Sequence, residues 1–310
     1  MENNKSKVIV ILGTTASGKT SLGVSLACRF NGEIISADSR QVYCGLDIGS
    51  GKDLIEYGDI KYHLIDVADP QNRYSVAQYQ RDAFFAIDDI LKRGKTPVVV
   101  GGSGQYLEAV VENYQLTDIK PDNELREKLE NLSTEELFAE LEKKNPVFAE
   151  KLNNSDKNNK RRLIRYLEIN NSPLERGGSP KGDGVCEAGS EYDFLLLGLT
   201  YPKEILTERI YKRLIERLEK EGMIQEVSDL HDKKGLSWER LIEFGLEYKF
   251  ISQYLQEKID YDQMVELLDR AINQFAKKQI TWFRRWEKKR RINWVEDKKE
   301  AEKMVDEFLE

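Results

Sequence analysis

Residues 8–30 read VIVILGTTASGKTSLGVSLACRF, in which a glycine-rich loop separates an apolar run from a segment with helical periodicity. The loop has the spacing Gly-x-x-x-x-Gly-Lys-Thr of the P-loop, whose backbone N–H groups surround phosphate oxygens. A helix that follows such a loop places the positive end of its dipole beside the anion. A chance glycine turn is the alternative, and the flanking strand and helix patterns argue against it. We therefore predict a phosphate-binding loop, formed by Gly13, Thr14, Thr15, Ala16, Ser17, Gly18, Lys19 and Thr20.

The last two residues of this loop have side chains suited to phosphate chemistry. Lys19 carries a compact positive charge, and the Thr20 hydroxyl is a ligand that Mg²⁺ accepts beside phosphate oxygens. We therefore predict Mg²⁺ as a cofactor with Thr20 as its protein ligand. A nucleotide hydrolase would also need a carboxylate at a strand end to hold the metal and orient water. Asp38 and Asp66 end predicted strands, whereas PVVVGG at 97–102 contains no acidic residue, which weakens the hydrolase interpretation without excluding it.

Short apolar runs alternate with helical patterns over the first 115 residues, which favours a parallel sheet covered by helices on both faces. From about residue 121 to 170 the chain is charged and helical in period, and a Gly-rich stretch at 175–191 is predicted to be a mobile loop. We predict an α/β fold with a P-loop NTPase-like parallel sheet core and C-terminal helices (1–118 and 193–310), interrupted by a helical insertion domain (119–192). The predicted strands are 8–12, 33–38, 62–67, 97–100 and 194–201, and a capping-box pattern at Ser75 and Gln78 starts a helix that ends near Gly94.

Charge is unevenly distributed along the chain. The 310 residues carry a net charge of −7, yet residues 277–291 hold eight Lys and Arg against one Glu, and residues 151–165 hold six against one Asp. Such concentrated basic segments allow an acidic protein to bind a polyanion locally. These two segments therefore indicate contact with nucleic acid.

Composition also bears on where the protein acts. No apolar run approaches the roughly 20 residues that a membrane-spanning helix needs. The three cysteines, Cys28, Cys44 and Cys186, are not paired at metal-ligand spacing, which is typical of a protein in a reducing compartment. Because the N-terminal residues also lack an apolar secretory segment, we predict a cytoplasmic protein without a membrane partner.

A second glycine cluster, GGSGQY at 101–106, follows a predicted strand and opens another helical pattern. In a parallel sheet this cluster and the P-loop lie at the same carboxyl edge, where ligands bind. Ser103 is therefore a candidate binding residue. A tight turn in which Ser103 caps the helix explains the pattern equally well.

Seven segments along the chain together form a recognisable pattern: GTTASGKT (13–20), ISADSRQVYCGLDIGSGK (35–52), YHLIDVADP (62–70), GGSGQYLEAV (101–110), RLIRYLEI (162–169), RIYKRL (209–214) and KKQITWFRRW (277–286). Together they make the chain resemble the tRNA dimethylallyltransferases, which have a P-loop fold. The resemblance implies transfer of a dimethylallyl group from dimethylallyl diphosphate to N6 of the adenosine 3′-adjacent to the anticodon, with release of diphosphate. The P-loop would then hold a leaving group. A dimethylallyltransferase for free adenine nucleotides and a small-molecule P-loop kinase are the alternatives.

The resemblance also implies roles for individual residues. Asp38, in an Asp-Ser pair, would accept the proton that the N6 amine loses, although it could instead cap a turn with Ser39. Ser103 stands where the family usually has Thr and offers a hydroxyl to the target base. Arg209 and Arg213 lie four residues apart on one helical face, and the family directs one of them to the diphosphate. The implied catalytic residues are Asp38, Lys19, Ser103 and Arg213.

The implied partners are a tRNA anticodon stem-loop and dimethylallyl diphosphate, and we expect a monomer. NNKRR at 158–162 departs from the family pattern Asn-Asp-Pro-x-Arg, which makes this segment more basic. We expect the indoles of Trp282 and Trp286 to be mainly packed, with the neighbouring Lys and Arg side chains facing RNA. The implied tRNA-binding residues are Asp38, Ser39, Arg40, Gln41, Ser103, Arg126, Arg161, Arg162, Arg165, Lys277, Lys278, Gln279, Trp282 and Arg284.

Overall fold

The computed structural model of the protein describes residues 5–114, 122–171 and 192–310, and its strands form one parallel sheet. The strands are β1 (Ser6–Gly13), β2 (Gly32–Ala37), β3 (Tyr62–His63), β4 (Thr96–Gly101), β5 (Tyr192–Leu199) and β6 (Asn293–Trp294). Their order is β3-β2-β4-β1-β5-β6, and every neighbouring pair is parallel. In register, Val10 of β1 lies between Val99 of β4 and Leu196 of β5.

Strand β1 is buried on both of its faces, as expected for a parallel sheet with helices on both sides. Val8, Val10 and Leu12 pack into one hydrophobic core, whereas Ile9 and Ile11 pack into a second core on the opposite face. All five side chains are fully buried. Burial on both faces therefore explains why the strand is apolar at every position.

Helices contribute side chains to both cores. The helices are α1 (Lys19–Arg29), α2 (Val76–Lys92), α3 (Gly104–Val111), α4 (Asn123–Leu129), α5 (Thr134–Lys144), α6 (Pro146–Lys151), α7 (Asn154–Lys157), α8 (Lys160–Asn171), α9 (Lys203–Glu219), α10 (Met223–Asp232), α11 (Trp238–Phe244), α12 (Leu246–Leu255), α13 (Tyr261–Glu287) and α14 (Lys298–Leu309), with a 3₁₀-helix at Leu54–Tyr57. Leu26 of α1 and Val305 of α14 pack on the face of Ile9, and Tyr79 of α2 and Phe283 of α13 pack on the face of Val10. No helix among the described residues combines the length and apolar composition needed to cross a membrane.

Helix α2 begins where the sequence predicts it. The Gln78 backbone N–H donates to Ser75 Oγ at 3.2 Å, and the Ser75 backbone N–H donates to Gln78 Oε1 at 2.9 Å. This reciprocal pair is a capping box, which satisfies two N–H groups that the first helical turn leaves unpaired. Gly94 follows the helix with φ 68°, a conformation that glycine adopts without strain. The predicted start and end of α2 are therefore confirmed.

The prediction of a strand at 62–67 is wrong for all but its first two residues. Leu64 and Asp66 adopt φ values of 61° and 56°, in the left-handed region that an extended strand excludes. Strand β3 consequently stops at His63. The other four predicted strands are confirmed, with ends displaced by no more than two residues.

The described chain separates into two compact units. One comprises Met1–Glu112 with Gly189–Glu310 and contains the sheet. The other, Asn113–Ala188, contains α4 to α8, and its small core includes Leu137, Leu141 and Leu163. The boundaries expected from sequence, after residues 118 and 192, stay a prediction together with the role of the insertion in binding tRNA. The Gly-rich loop expected at 175–191 lies outside the described residues.

Candidate active site

The P-loop connects β1 to α1 at the carboxyl edge of the sheet. Strand β1 ends at Gly13, and α1 begins at Lys19. Gly18, directly before the helix, has φ 78°, which favours glycine. A Cβ atom on Gly13 would lie 2.6 Å from Ser17 Oγ and 2.7 Å from the Leu199 carbonyl oxygen, so a larger residue does not fit this turn.

Two hydroxyl groups of the P-loop are buried. Thr14 Oγ1 and Ser17 Oγ are buried, and neither has a hydrogen-bond partner among the described residues. Buried polar groups are almost always hydrogen-bonded, because an unpaired one costs free energy. A phosphate group accepts hydrogen bonds through all of its terminal oxygens. The loop therefore offers donors of the kind that a phosphate group would satisfy.

Lys19 is held inside this loop. Its Nζ donates to the Thr14 carbonyl oxygen at 3.3 Å. The pKa of Lys19 is lowered from 10.5 to about 8, chiefly by burial and in part by the positive charge of Arg213, while the Asp38 carboxylate acts in the opposite direction. An anion placed beside a buried lysine with a lowered pKa stabilises the charged form of that lysine.

Helix α9 brings Arg213 to the P-loop. Arg213 Nη2 donates a hydrogen bond to Thr15 Oγ1. Burial, together with the neighbouring charge of Arg217, lowers the pKa of Arg213 to about 10. The guanidinium of Arg209 lies instead over the ring of Tyr201, 4.0 Å from its centroid. Of the two arginines that the sequence left as alternatives, Arg213 is the one in contact with the loop.

Arg217 and Asp53 are neighbours of this site that the sequence analysis missed. Arg217 is buried, and its Nη2 donates to Asp53 Oδ2 at 2.8 Å and to Oδ1 at 3.0 Å. Asp53 interacts electrostatically with Lys19 and Arg213, raising the pKa of both against the effect of burial. A Cβ atom on Gly51 would lie 2.8 Å from Arg217 Nη2, so this glycine leaves room for the guanidinium. The four-residue spacing from Arg213 was the available signal, since it places both arginines on one face of α9.

The turn that carries Asp38 is joined to the second glycine cluster. Asp38 directly follows β2, and its Oδ1 accepts a hydrogen bond from the Arg40 backbone N–H at 2.9 Å. The Ser39 backbone N–H donates to Ser103 Oγ at 3.0 Å. Ser103 occupies the N-cap position of α3, but its side chain makes no capping hydrogen bond. The Ser103 hydroxyl therefore joins the two loops, while Asp38 both caps its own turn and faces the charge of Lys19.

Arg40 and Gln41, both implied to bind tRNA, have protein partners for their side chains. Arg40 Nη1 forms an ion pair with Glu247 at 2.5 Å. Burial opposes the charged form of Arg40, but the carboxylates of Glu247 and Asp38 outweigh it and raise the pKa of this group. Gln41 accepts a hydrogen bond from Ser36 Oγ and donates one to the Gly51 carbonyl oxygen, each at 2.8 Å. These contacts fix the turn after Asp38.

Helix α13 carries the first part of the basic segment 277–291, up to Glu287, and also reaches the loops. Lys277, Lys278 and Arg284 are exposed. Trp282 is half-buried against Gly104, where an added Cβ would lie 2.4 Å from the indole, and its Nε1 is buried without a partner among the described residues. Trp286 is fully buried and donates to Glu112 at 2.7 Å. The two indoles are thus packed as expected and the three basic side chains are exposed, while their contact with RNA stays a prediction.

Gln279 lies between the two glycine loops. It is buried, its Oε1 accepts from the Thr15 backbone N–H at 2.9 Å, and its Nε2 donates to the Gly102 carbonyl oxygen at 2.9 Å. The sequence placed Gln279 among the tRNA-binding residues and gave no indication of this bridge.

The arginines of the insertion are mostly paired with buried carboxylates. Arg126 contacts Glu168 at 2.6 Å and 3.0 Å, and Arg165 contacts the same carboxylate at 3.1 Å. Although burial favours its protonated form, these two arginines lower the pKa of Glu168. Arg162 pairs with buried Asp156, and Arg161 is exposed.

A metal ion at this site would need oxygen atoms from a bound substrate as well as from the protein. Thr20 lies in the first turn of α1, at the end of the helix that adjoins the P-loop. Among the described residues no group of three His, Cys, Asp or Glu side chains could hold a metal ion by itself. Mg²⁺ is commonly held by one or two protein oxygens together with substrate phosphates and water. The Thr20 hydroxyl and the phosphate-binding loop fit that arrangement.

Comparison with known proteins gives consistent matches over most of the chain. A family model described as IPP transferase matches residues 41–286, and one described as isopentenyl transferase matches residues 6–58. The chain is 48% identical to tRNA dimethylallyltransferase 2 of Citrifermentans bemidjiense, over 93% of this chain and 90% of that protein. It is 47% identical to tRNA dimethylallyltransferase 2 of Treponema denticola, over 94% and 97% of the two chains.

Solved structures agree with these matches. The crystal structure of a tRNA isopentenylpyrophosphate transferase from Bacillus halodurans superposes with a TM-score of 0.70 at 34% identity, covering 98% of this chain and 97% of that one. A eukaryotic dimethylallyltransferase acting on tRNA superposes with a TM-score of 0.73 at 29% identity, covering 89% and 69% of the two chains.

Proposed function

Because the chain belongs to the IPP transferase family, among the tRNA dimethylallyltransferases, we propose that it prenylates tRNA. The donor is dimethylallyl diphosphate, and the acceptor is N6 of the adenosine 3′-adjacent to the anticodon. The observation that best supports this proposal is the pairing of a phosphate site with a carboxylate. Lys19 and Arg213 lie at the P-loop, and Asp38 lies near enough to act on the charge of Lys19.

In the proposed reaction the bond between the allylic carbon and the diphosphate oxygen breaks while a bond from that carbon to N6 forms. The N6 amine loses one proton, and diphosphate leaves with the electrons of the broken bond. Negative charge therefore grows on the leaving group. The positive charges of Lys19 and Arg213, together with the loop N–H groups, stabilise that charge most strongly in the transition state.

Asp38 is the proposed acceptor of the N6 proton. Adenine N6 is a weak nucleophile, so removal of its proton during bond formation lowers the barrier. The Arg40 N–H bond to Asp38 Oδ1 holds the carboxylate in one orientation. We propose that Ser103 and the Ser39 turn, already joined by a hydrogen bond, orient the adenine that has left its base stack.

The proposed RNA contacts come from helix α13 and from the helical insertion. Lys277, Lys278 and Arg284 of α13 are exposed and can reach phosphate groups. Arg126 and Arg165 have their guanidinium groups fixed by Glu168, which reduces the rotamer entropy that they lose on binding RNA. Most of the binding energy from such contacts is sequence-independent.

Mg²⁺ is part of the proposal, with Thr20 as its protein ligand. The ion would supply positive charge to the departing diphosphate. Cytoplasmic location, where tRNA is found, and a monomeric state complete the proposed description.

One assay separates this function from its alternatives. Purified protein with Mg²⁺ and labelled dimethylallyl diphosphate is offered unmodified tRNA or AMP, and a parallel reaction contains ATP without the prenyl donor. We expect label in tRNA alone. Label in AMP would indicate a free-nucleotide transferase, and ATP turnover with a small acceptor would indicate a kinase. The isopentenyl transferase model matches only residues 6–58, and this partial match does not favour the free-nucleotide transferase.

A further inference from the structure

The side chain of Gln279 links helix α13 directly to the P-loop. Its Oε1 accepts the Thr15 N–H and its Nε2 donates to the Gly102 carbonyl oxygen, both at 2.9 Å. The two contacts use opposite ends of one carboxamide, so the donor and acceptor atoms cannot be exchanged without losing both bonds. The side chain is only 6% exposed.

The surroundings of Gln279 leave little room for movement. A Cβ atom on Gly102 would lie 2.5 Å from Gln279 Nε2, so the second glycine cluster approaches the carboxamide closely. Three residues further along α13, Trp282 packs against Gly104 in the same cluster. The helix is therefore fitted to this loop at two successive contacts.

The contact with Thr15 has a direct consequence for the phosphate site. Its hydrogen bond to Gln279 means that the protein itself holds the Thr15 backbone N–H. The same residue receives a hydrogen bond from Arg213 through its Oγ1. Gln279 thus fixes the backbone of the residue whose side chain holds Arg213 at the loop.

We propose that Gln279 is a positioning residue of the donor site, which holds the P-loop in its phosphate-binding shape before the ligand arrives. This inference rests on the proposed function only for the identity of the donor. It differs from the RNA contact that the family resemblance implies for this residue. A preformed loop loses less conformational freedom when the donor binds. If the loop is no longer preformed, donor affinity therefore falls.

The test compares Gln279→Met with wild-type protein. Methionine keeps the length of the side chain but makes neither hydrogen bond. Donor affinity is measured by equilibrium dialysis with labelled dimethylallyl diphosphate and with inorganic diphosphate, and tRNA affinity is measured by filter binding. We expect donor affinity to fall by roughly tenfold, as two lost hydrogen bonds imply, and tRNA affinity to stay within about twofold.

Two control variants distinguish an effect on the donor site from general destabilisation and from the loss of an RNA contact. Gln80 is also a buried glutamine, and its Nε2 donates to the Ala109 carbonyl oxygen at 2.7 Å. Gln80→Met should therefore lower the thermal midpoint without changing donor affinity. Lys278→Gln removes an exposed charge beside Gln279 and should show the opposite pattern, with weaker tRNA binding and unchanged donor binding.

The opposite result would overturn the inference. If Gln279→Met binds both diphosphates like wild-type protein but loses tRNA affinity, then Gln279 is an RNA contact. Should the methionine variant not fold, Gln279→Asn, which is too short to span both loops, decides by the same two affinities. If inorganic diphosphate binding depends on Gln279 but the wild-type protein transfers no prenyl group, the proposed function is contradicted and this inference stands.

Discussion

The Ser39 backbone N–H donates a 3.0 Å hydrogen bond to Ser103 Oγ, across 64 positions of sequence. This bond ties the turn after β2 to the loop after β4. The two loops approach closely because β2 and β4 are neighbours, and a Cβ atom on Gly101 would lie 2.1 Å from the Ala37 carbonyl oxygen. Asp38 and Ser103 therefore lie together at the carboxyl edge of the sheet, which also carries the P-loop.

The first prediction concerns Asp38. Asp38→Asn keeps a hydrogen-bond acceptor for the Arg40 N–H but cannot take a proton from N6. Loss of a general base typically slows a reaction by about 10²–10⁴-fold. We expect single-turnover prenyl transfer to slow by this factor, while the affinity for dimethylallyl diphosphate changes little because Lys19 and the loop remain.

Two results would assign Asp38 differently. Prenyl transfer at the wild-type rate would reduce Asp38 to a turn cap. Collapse of donor binding would instead indicate that the carboxylate acts chiefly on the metal ion or on the charge of Lys19.

The second prediction uses the pKa of Lys19, which burial lowers to about 8. Lysine is charged below its pKa, so the free protein loses the Lys19 charge as the pH rises through about 8. We expect kcat/KM for dimethylallyl diphosphate to be level near neutral pH and to fall above pH 8, approaching tenfold per pH unit. Lys19→Arg should be less active but should not show this decline, because a guanidinium stays charged. A wild-type profile that is flat to pH 9.5 would disprove the assigned role of the charge.

The third prediction separates Arg284 from Arg285. Arg284 is exposed, whereas the guanidinium of Arg285 lies 4.4 Å from the centroid of the Trp282 ring and 3.6 Å from the Glu108 carboxylate. Each phosphate contact adds roughly 0.7–0.9 to the slope of log affinity against log salt. Arg284→Gln should reduce the magnitude of that slope by about 0.7–0.9, the amount due to one phosphate contact, and Arg285→Gln should reduce it less. If Arg284→Gln binds tRNA with the same affinity and salt slope as wild-type protein, Arg284 is not part of the RNA interface.

The fourth prediction tests a structural ion cluster away from the site. The buried Glu33 carboxylate accepts hydrogen bonds from Arg93 and contacts His63 at 2.8 Å and Lys95 at 3.0 Å. The bond from Arg93 outweighs burial and holds the pKa of Glu33 well below 4.5. Glu33→Gln should lower the free energy of unfolding at pH 7 by about 2–4 kcal/mol.

The pH dependence of this effect has a definite sign. Because the folded state depresses the pKa of Glu33, its stabilisation is complete above the unfolded value and is lost as the pH falls below about 4.5. Urea unfolding should therefore show a large difference between wild-type protein and Glu33→Gln at pH 7 and a smaller one at pH 3. A constant difference would mean that the charge of Glu33 is not what stabilises the fold.

The parts of this molecule that sequence could predict are those with local causes. The P-loop combines a fixed spacing with a strand and a helix on either side, and the capping box of α2 involves only Ser75 and Gln78. Among the predicted strands, the one at 62–67 was predicted too long. The positive φ values of Leu64 and Asp66 that end β3 cannot be recognised from the pattern of apolar residues.

The contacts that hold the site together were not predictable, because they join distant parts of the chain. Gln279 and Thr15 are 264 positions apart, Arg40 and Glu247 are 207 apart, and Arg217 and Asp53 are 164 apart. Without the fold, an arginine in such a pair cannot be distinguished from one on a solvated helix face.

The central question is whether the P-loop holds a leaving group, and the products of one turnover answer it directly. Protein, Mg²⁺, dimethylallyl diphosphate and unmodified tRNA are mixed, and the released diphosphate, the orthophosphate and the prenylated nucleosides are quantified together. We predict one diphosphate for each N6-dimethylallyl adenosine, located 3′-adjacent to the anticodon, and no orthophosphate. Orthophosphate as the main product, or diphosphate released without prenylated adenosine, would contradict this conclusion.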